Sequence, residues 1–160
     1  MRPATPEDLE DVARTTVDAY VAANQLEDGP DGAYGRVLGD AAARLREAVL
    51  LVAVRQDSIV GTVTICPEGS PFREIGQGGE VEFRFLAVAP SVWGHGIGSL
   101  LVDYCQSYAS AAGSERLVIG VRDTNVEAIA MYLKHGFTRL PERDWQPFPG
   151  VELLALEKAL

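Results

Sequence analysis

Apolar residues recur along the chain with two different periods, and each period marks its own set of elements. Thr5-Pro6-Glu7-Asp8 opens a helix, with a hydroxyl N-cap, proline at the first helical position and acids in the first turn. Behind it Leu9, Val12, Ala13, Thr16, Val17, Tyr20 and Val21 share one face at i, i+3, i+4 spacing. Residues 27–39, polar and Gly-rich, read as an exposed loop, and a short helix over 40–48 follows. Residues 50–54 and 59–66 are β-branched apolar runs split by Arg55-Gln56-Asp57-Ser58, a hairpin signal. A Gly/Pro loop at 67–79 leads to a third strand at 80–88.

The helical period returns at 96–112 through Ile97, Leu100, Leu101, Tyr104, Cys105, Tyr108, Ala109 and Ala112. A strand at 117–121, a helix at 126–135 stopped by Gly136, and a strand at 137–140 come next. A Pro-containing excursion at 141–150 precedes a last strand at 151–156. Hairpins combined with a β-α-β crossover imply an α/β (α+β) fold: a mixed, mostly antiparallel central sheet with helices on both faces. With no repeat and no linker, residues 1–160 read as a single domain.

Composition narrows the function. A chain 47% hydrophobic and 23% charged is neither disordered nor membrane-spanning. A net charge of −9 argues against a nucleic acid or an anionic membrane as partner, since both need clustered cations. Nine acids and three arginines fall in the first forty residues, a bias that concentrates cations such as protonated amines. Cys66 and Cys105 sit in apolar settings, and no Cys/His pair has ligand spacing, so buried inert thiols and no metal are expected. The N-terminus carries no signal-like apolar run, which predicts a soluble, cytoplasmic protein.

The segment richest in chemistry is Val88-Ala89-Pro90-Ser91-Val92-Trp93-Gly94-His95-Gly96-Ile97-Gly98, where a strand runs into a Gly-rich loop that opens a helix. Glycines let backbone approach a ligand closely, and the free N–H groups of the helix start suit a pyrophosphate. The alternating G-x-G-x-G differs from the dinucleotide G-x-G-x-x-G, and the Gly-Lys-Ser/Thr of a P-loop is absent.

This segment resembles the acyl-CoA-binding motif of the GNAT superfamily of N-acetyltransferases, R/Q-x-x-G-x-G/A, with Trp93 at the usual Arg or Gln position. Asn125-Val126-Glu127-Ala128 through Tyr132 to Gly136-Phe137 is similar to the superfamily's second signature, N-x-x-A-x-x-x-Y-x-x-x-G-F. The opening Arg2-Pro3-Ala4-Thr5 is also similar to the start of many members. The resemblance implies acetyl-CoA as co-substrate and transfer of its acetyl group to a primary amine, small molecule or peptide, by direct attack in a ternary complex. It also implies site residues. The Leu86-Ala87-Val88 backbone would pair with the pantetheine arm. Trp93, Gly94, His95, Gly96, Ile97, Gly98 and Ser99 would border the pyrophosphate.

Asn125, Ala128 and Tyr132 form one helical stripe, apart from an apolar set of Val126, Ile129, Ala130 and Leu133, and are expected to face the cofactor. Tyr132 is the candidate general acid for the departing thiolate, and Glu82 the candidate general base, with Glu80 as fallback. Candidate acceptor-pocket segments are 27–36, 67–79 and 143–148. A second reading is an acyl-CoA-binding module that senses the ligand with little or no catalysis. Pairing of the last strands between two copies would make a homodimer.

Overall fold

The computed structural model describes residues 1–160. Its strands are β1 (Arg2–Pro3), β2 (Val49–Arg55), β3 (Ser58–Cys66), β4 (Glu80–Val88), β5 (Arg116–Arg122), β6 (Thr138–Arg139), β7 (Trp145–Phe148) and β8 (Val151–Ala159). The helices are α1 (Leu9–Ala22), α2 (Ala33–Gly39), α3 (Ala41–Glu47), α4 (Ile97–Ala111) and α5 (Val126–Lys134). The fold is mixed α/β, an eight-stranded, mostly antiparallel sheet flanked by helices. Its hydrogen-bonded order is β1-β2-β3-β4-β5-β8-β6, with β7 paired to β8. The β4–β5 pair is parallel and short: Glu80↔Arg116, Val81↔Leu117 and Glu82↔Val118. Beyond Glu82, β4 runs on to Val88 without a ladder to β5.

The chain forms two compact units, Met1–Ile65 with Phe85–Leu101, and Cys66–Arg84 with Val102–Leu160. In the first unit the start of α1 is tied by Asp8, whose Oδ2 accepts from Thr5 N at 2.7 Å. The Arg2 guanidinium, 2.6 Å from the same oxygen, holds this carboxyl well below the usual carboxylate range. The β2–β3 hairpin turns on Gln56 (φ 49°) and Asp57 (φ 62°), two left-handed residues whose twist matches that of the strands. Val12, Ala41, Leu50 and Val52 pack beneath as core.

Residues 33–39 are helix α2 rather than loop, a correction to the glycine-based expectation. Gly35 permits it: a Cβ there would meet the Pro30 carbonyl oxygen at 2.1 Å, so only glycine lets the helix close on the preceding turn. Asp40 then caps α3, accepting from Ala43 N at 2.9 Å.

In the second unit β8 is the backbone partner of β5 along seven register pairs from Arg116↔Ala159 to Arg122↔Leu153. The excursion at 141–150 holds a strand that the prolines obscured, β7, joined to β8 at Trp145↔Leu153 and Phe148↔Val151. Asp144 anchors it, pairing with Arg139 at 2.6 Å and accepting from Ala155 N at 2.7 Å.

Helix α5 does not bury its apolar set as one face. Val126 is 68% and Leu133 49% exposed, whereas Tyr132 is buried and Ala128 and Ile129 are half-buried. The nine-residue helix has too few turns to bury two stripes, and the aromatic ring wins the core position.

Gly61 of β3 sets the closeness of α4. A Cβ there would stand 3.0 Å from Ile97 Cγ2, 3.2 Å from Leu101 Cδ1 and 3.3 Å from the Ala87 carbonyl. Gly61→Val is therefore expected to lower stability by about 1–3 kcal/mol through overpacking, read as a reduced urea midpoint with unchanged m-value.

Candidate functional site

The glycine loop lies wholly in the first unit. After Val88 the chain is pinned by Ala89 N donating to the Val60 carbonyl at 2.9 Å. A single 3₁₀ turn, Pro90–Val92, then delivers Trp93 and the glycines. Gly94 and Gly96 both have φ 79°, and nothing lies within 4 Å of where a Cβ would project. Conformation, not crowding, requires glycine here, and the space above the loop is open.

The first hydrogen bond at the α4 start runs from Leu100 N to the Gly96 carbonyl at 3.1 Å. The amides of Ile97, Gly98 and Ser99 therefore have no acceptor within the helix. With the dipole of a fifteen-residue helix behind them, they present a row of donors of the kind that suits an anion. His95 Nδ1 lies 3.1 Å from the Val92 carbonyl and 3.0 Å from that of Trp93. Two acceptors on one side place the proton on Nδ1 and leave Nε2 directed elsewhere.

Trp93, where the resemblance expects Arg or Gln, is 43% exposed, and its indole Nε1 donates to the Val88 carbonyl at 2.6 Å. That carbonyl belongs to the strand segment expected to pair with a pantetheine arm. Along this segment Leu86 and Val88 are half-buried and Ala87 is buried.

The second unit holds the titratable candidates. Tyr132 is 4% exposed and boxed by Phe83 and Phe137, with ring centroids 5.7 and 5.8 Å away. Burial, reinforced by Cys105, raises its phenol well above the ordinary tyrosine value, so it stays protonated throughout the neutral range. Asn125 caps α5, its Oδ1 accepting from Ala128 N at 3.2 Å. Its side-chain oxygen is therefore engaged in the helix itself, and Ala128 is the residue it caps.

Glu80, Glu82 and Arg84 stand at i, i+2, i+4 on β4, and each has a built partner. Glu82, 1% exposed, accepts at Oε2 from three consecutive backbone amides: Glu74 (2.9 Å), Ile75 (3.0 Å) and Gly76 (2.9 Å). Glu80 is held by Arg143 at 2.6 Å and by Gln77 N at 2.8 Å. Burial alone would raise the Glu80 carboxyl, and those two contacts outweigh it and bring it below its ordinary value. Arg84 pairs with Glu74 at 2.6 Å and donates to the Phe72 carbonyl at 2.9 Å. Glu74 is raised, by burial first, with Arg84 opposing.

The three β4 side chains thus fasten the loop at 67–79 to the sheet. Arg84 and Glu74 escaped the sequence reading. The period-2 run of charges in an apolar strand is the signal that marks such a set.

A model of the Acetyltransferase (GNAT) family matches residues 10–137. An uncharacterised N-acetyltransferase of Schizosaccharomyces pombe is 28% identical over 158 residues, 95% of this chain and 90% of that protein. Among solved structures, a ribosomal-protein-alanine N-acetyltransferase from Brucella melitensis aligns with TM-score 0.71 at 23% identity, over 99% of this chain and 98% of the other. The PaiA N-acetyltransferase from Thermoplasma acidophilum, solved in complex with coenzyme A, aligns with TM-score 0.78 at 16% identity, over 99% and 97%.

Glu82→Gln keeps the volume and removes the anion that the three amides share. We expect it to cost about 1–3 kcal/mol and to speed amide exchange at residues 74–76. A lowered kcat with an unchanged melting temperature would instead mark Glu82 as a proton acceptor in catalysis.

Proposed function

The chain belongs to the GNAT acetyltransferase family, and on that premise we propose that it moves an acetyl group from acetyl-CoA to a primary amine by direct attack in a ternary complex. The observation that carries this reading is the row of unpaired amides at Ile97, Gly98 and Ser99, behind two left-handed glycines. Such a row suits the diphosphate of a coenzyme A ester. The coenzyme A complex of the PaiA enzyme supports the choice of ligand. In this proposal Leu86, Ala87 and Val88 offer backbone to the pantetheine amides, as a strand edge does to an added strand.

The amine nitrogen attacks the thioester carbon, and a tetrahedral oxyanion forms. The C–S bond then breaks, and the departing thiolate takes its proton from the Tyr132 phenol. Burial keeps that donor protonated but also makes it a weaker acid than the thiol, so its help to the leaving group is modest, and Tyr132 regains its proton from solvent to close the cycle. The sequence alone favoured Glu82 as acceptor of the amine's proton. Three amides already occupy its Oε2, so we assign Glu82 to positioning the 67–79 loop and the ammonium proton to water. Acid-rich residues 1–40 favour a cationic acceptor, an amine of small-molecule or peptide origin, although Asp8 and Asp11 are neutralised by Arg2 and Arg14.

Tyr132→Phe is expected to lower kcat by roughly 10²-fold, the low end for a general acid because a thiol leaves readily, with KM for acetyl-CoA little changed. Unaltered turnover removes Tyr132 from the mechanism. The raised phenol also predicts that kcat in the wild type shows no loss from Tyr132 deprotonation up to about pH 10, the ordinary tyrosine value. Acetyl-CoA that pairs with the Val88 backbone must meet the Trp93 indole. In a Trp145→Phe background, which leaves Trp93 as sole indole, titration with acetyl-CoA should shift its emission. An acyl-CoA-dependent shift without thiol release on any amine would favour the sensing module.

A further inference from the structure

Arg44 is a buried charge with no carboxylate in direct contact, Asp40 acting on it only at longer range, and it lies over a strained residue. Its residue exposure is 0%, yet its two hydrogen bonds go to neutral oxygens: Thr16 Oγ1 at 3.2 Å and the Leu38 carbonyl at 2.9 Å. Nε and Nη1 have no acceptor at all. What the guanidinium has instead is a ring: its Cζ lies 5.4 Å from the centroid of Phe85. At that distance the negative face of an aromatic ring attracts a cation, most strongly where water is excluded.

Phe85 is the residue at which β4 departs from regular strand geometry, with φ 53° in the middle of the strand. A bulky residue held in the left-handed region is unfavourable and persists only where its surroundings over-determine it. Phe85 is also the last residue before the Leu86–Val88 backbone, so its conformation aims that segment. Thr16 lies in α1, Leu38 in α2 and Arg44 in α3, so three helices meet at the one guanidinium that covers the Phe85 ring. Burial pushes the Arg44 guanidinium down to about 10, which still leaves it cationic at neutral pH.

We propose that Arg44 is a positioning residue. Its guanidinium holds the Phe85 ring, keeps the backbone there left-handed, and thereby fixes the direction in which Leu86–Val88 presents its amides and carbonyls. The catalytic value of that direction rests on the acetyl-CoA reading above; the mechanical link between Arg44 and Phe85 does not.

A double-mutant cycle of Arg44→Met and Phe85→Gly separates this link from a merely structural role. Methionine removes the buried charge at similar volume, a change that often leaves stability equal or higher. Glycine adopts φ near 53° unaided, so it no longer needs holding. The readout is amide exchange at Leu86, Ala87 and Val88 in the free protein, with thermal melts on all four variants. R44M alone should speed exchange at these amides by roughly tenfold, and R44M added to F85G should change it little. Equal effects of R44M in both backgrounds, or none in either, overturn the proposal. Should R44M fail to fold, Arg44→Lys, which keeps the charge and loses the planar face, completes the same cycle.

Acetyl-CoA titrations form a second arm. R44M is expected to weaken Kd by roughly fivefold in the Phe85 background only. A wild type that binds no acetyl-CoA would defeat the proposed function, while the exchange cycle, read without ligand, would still decide the role of Arg44.

Discussion

Every backbone amide and carbonyl must find a partner or face water, and the place where this chain leaves its amides to water organises the rest. Strand β4 gives up its ladder to β5 after Glu82↔Val118, passes through a left-handed Phe85, and ends in a loop whose glycines lead to three amides without acceptors. Such a run contributes no hydrogen bonds to the fold and stays satisfied only because it faces water. In the function proposed above, it would meet a ligand that carries amides and a diphosphate in series. Much of the surrounding sequence keeps this segment from relaxing. Gly61 lets the helix start sit close, and Ala89 is tied to Val60.

The same logic explains why charged residues occupy so apolar a strand. Glu80, Glu82 and Arg84 project from one side of β4 and take hold of a loop that has no regular hydrogen bonding of its own. Three amides on one carboxylate oxygen form a small concave anion nest, the reverse of the usual case in which the protein supplies the nest and a ligand the anion. The carboxylates best placed by sequence to be bases are thus, by geometry, fasteners.

Periodicity read most of the fold well. The long helices, the hairpin and the third strand follow from runs of residues that obey one period; most bounds moved by a residue or two, and the first turn before α1, Pro6–Asp8, is 3₁₀ rather than α. What escaped was decided by single contacts. Helix α2 depends on Gly35 meeting the Pro30 carbonyl, which a propensity argument counts as a helix breaker. Strand β7 exists because Asp144 and Arg139 tie it to Ala155, a long-range pairing with no local signature. In α5, the apolar set of Val126, Ile129, Ala130 and Leu133 did not become the buried face, because Phe83 and Phe137 claim Tyr132. The glycine loop was legible because its backbone conformation demands one residue type. Arg84 and Glu74 were not, since a charge reveals its partner only in three dimensions.

The two thiols supply a built-in clock. Cys66 and Cys105 form no disulfide and are fully buried, and burial, with neighbouring negative charge, pushes Cys66 up to about 12. Neither thiolate nor access is available while the second unit is closed, so a thiol-specific reagent can react only through opening events. The rate of colour development with such a reagent, compared with its rate on a free thiol, therefore measures how often this part of the molecule breathes.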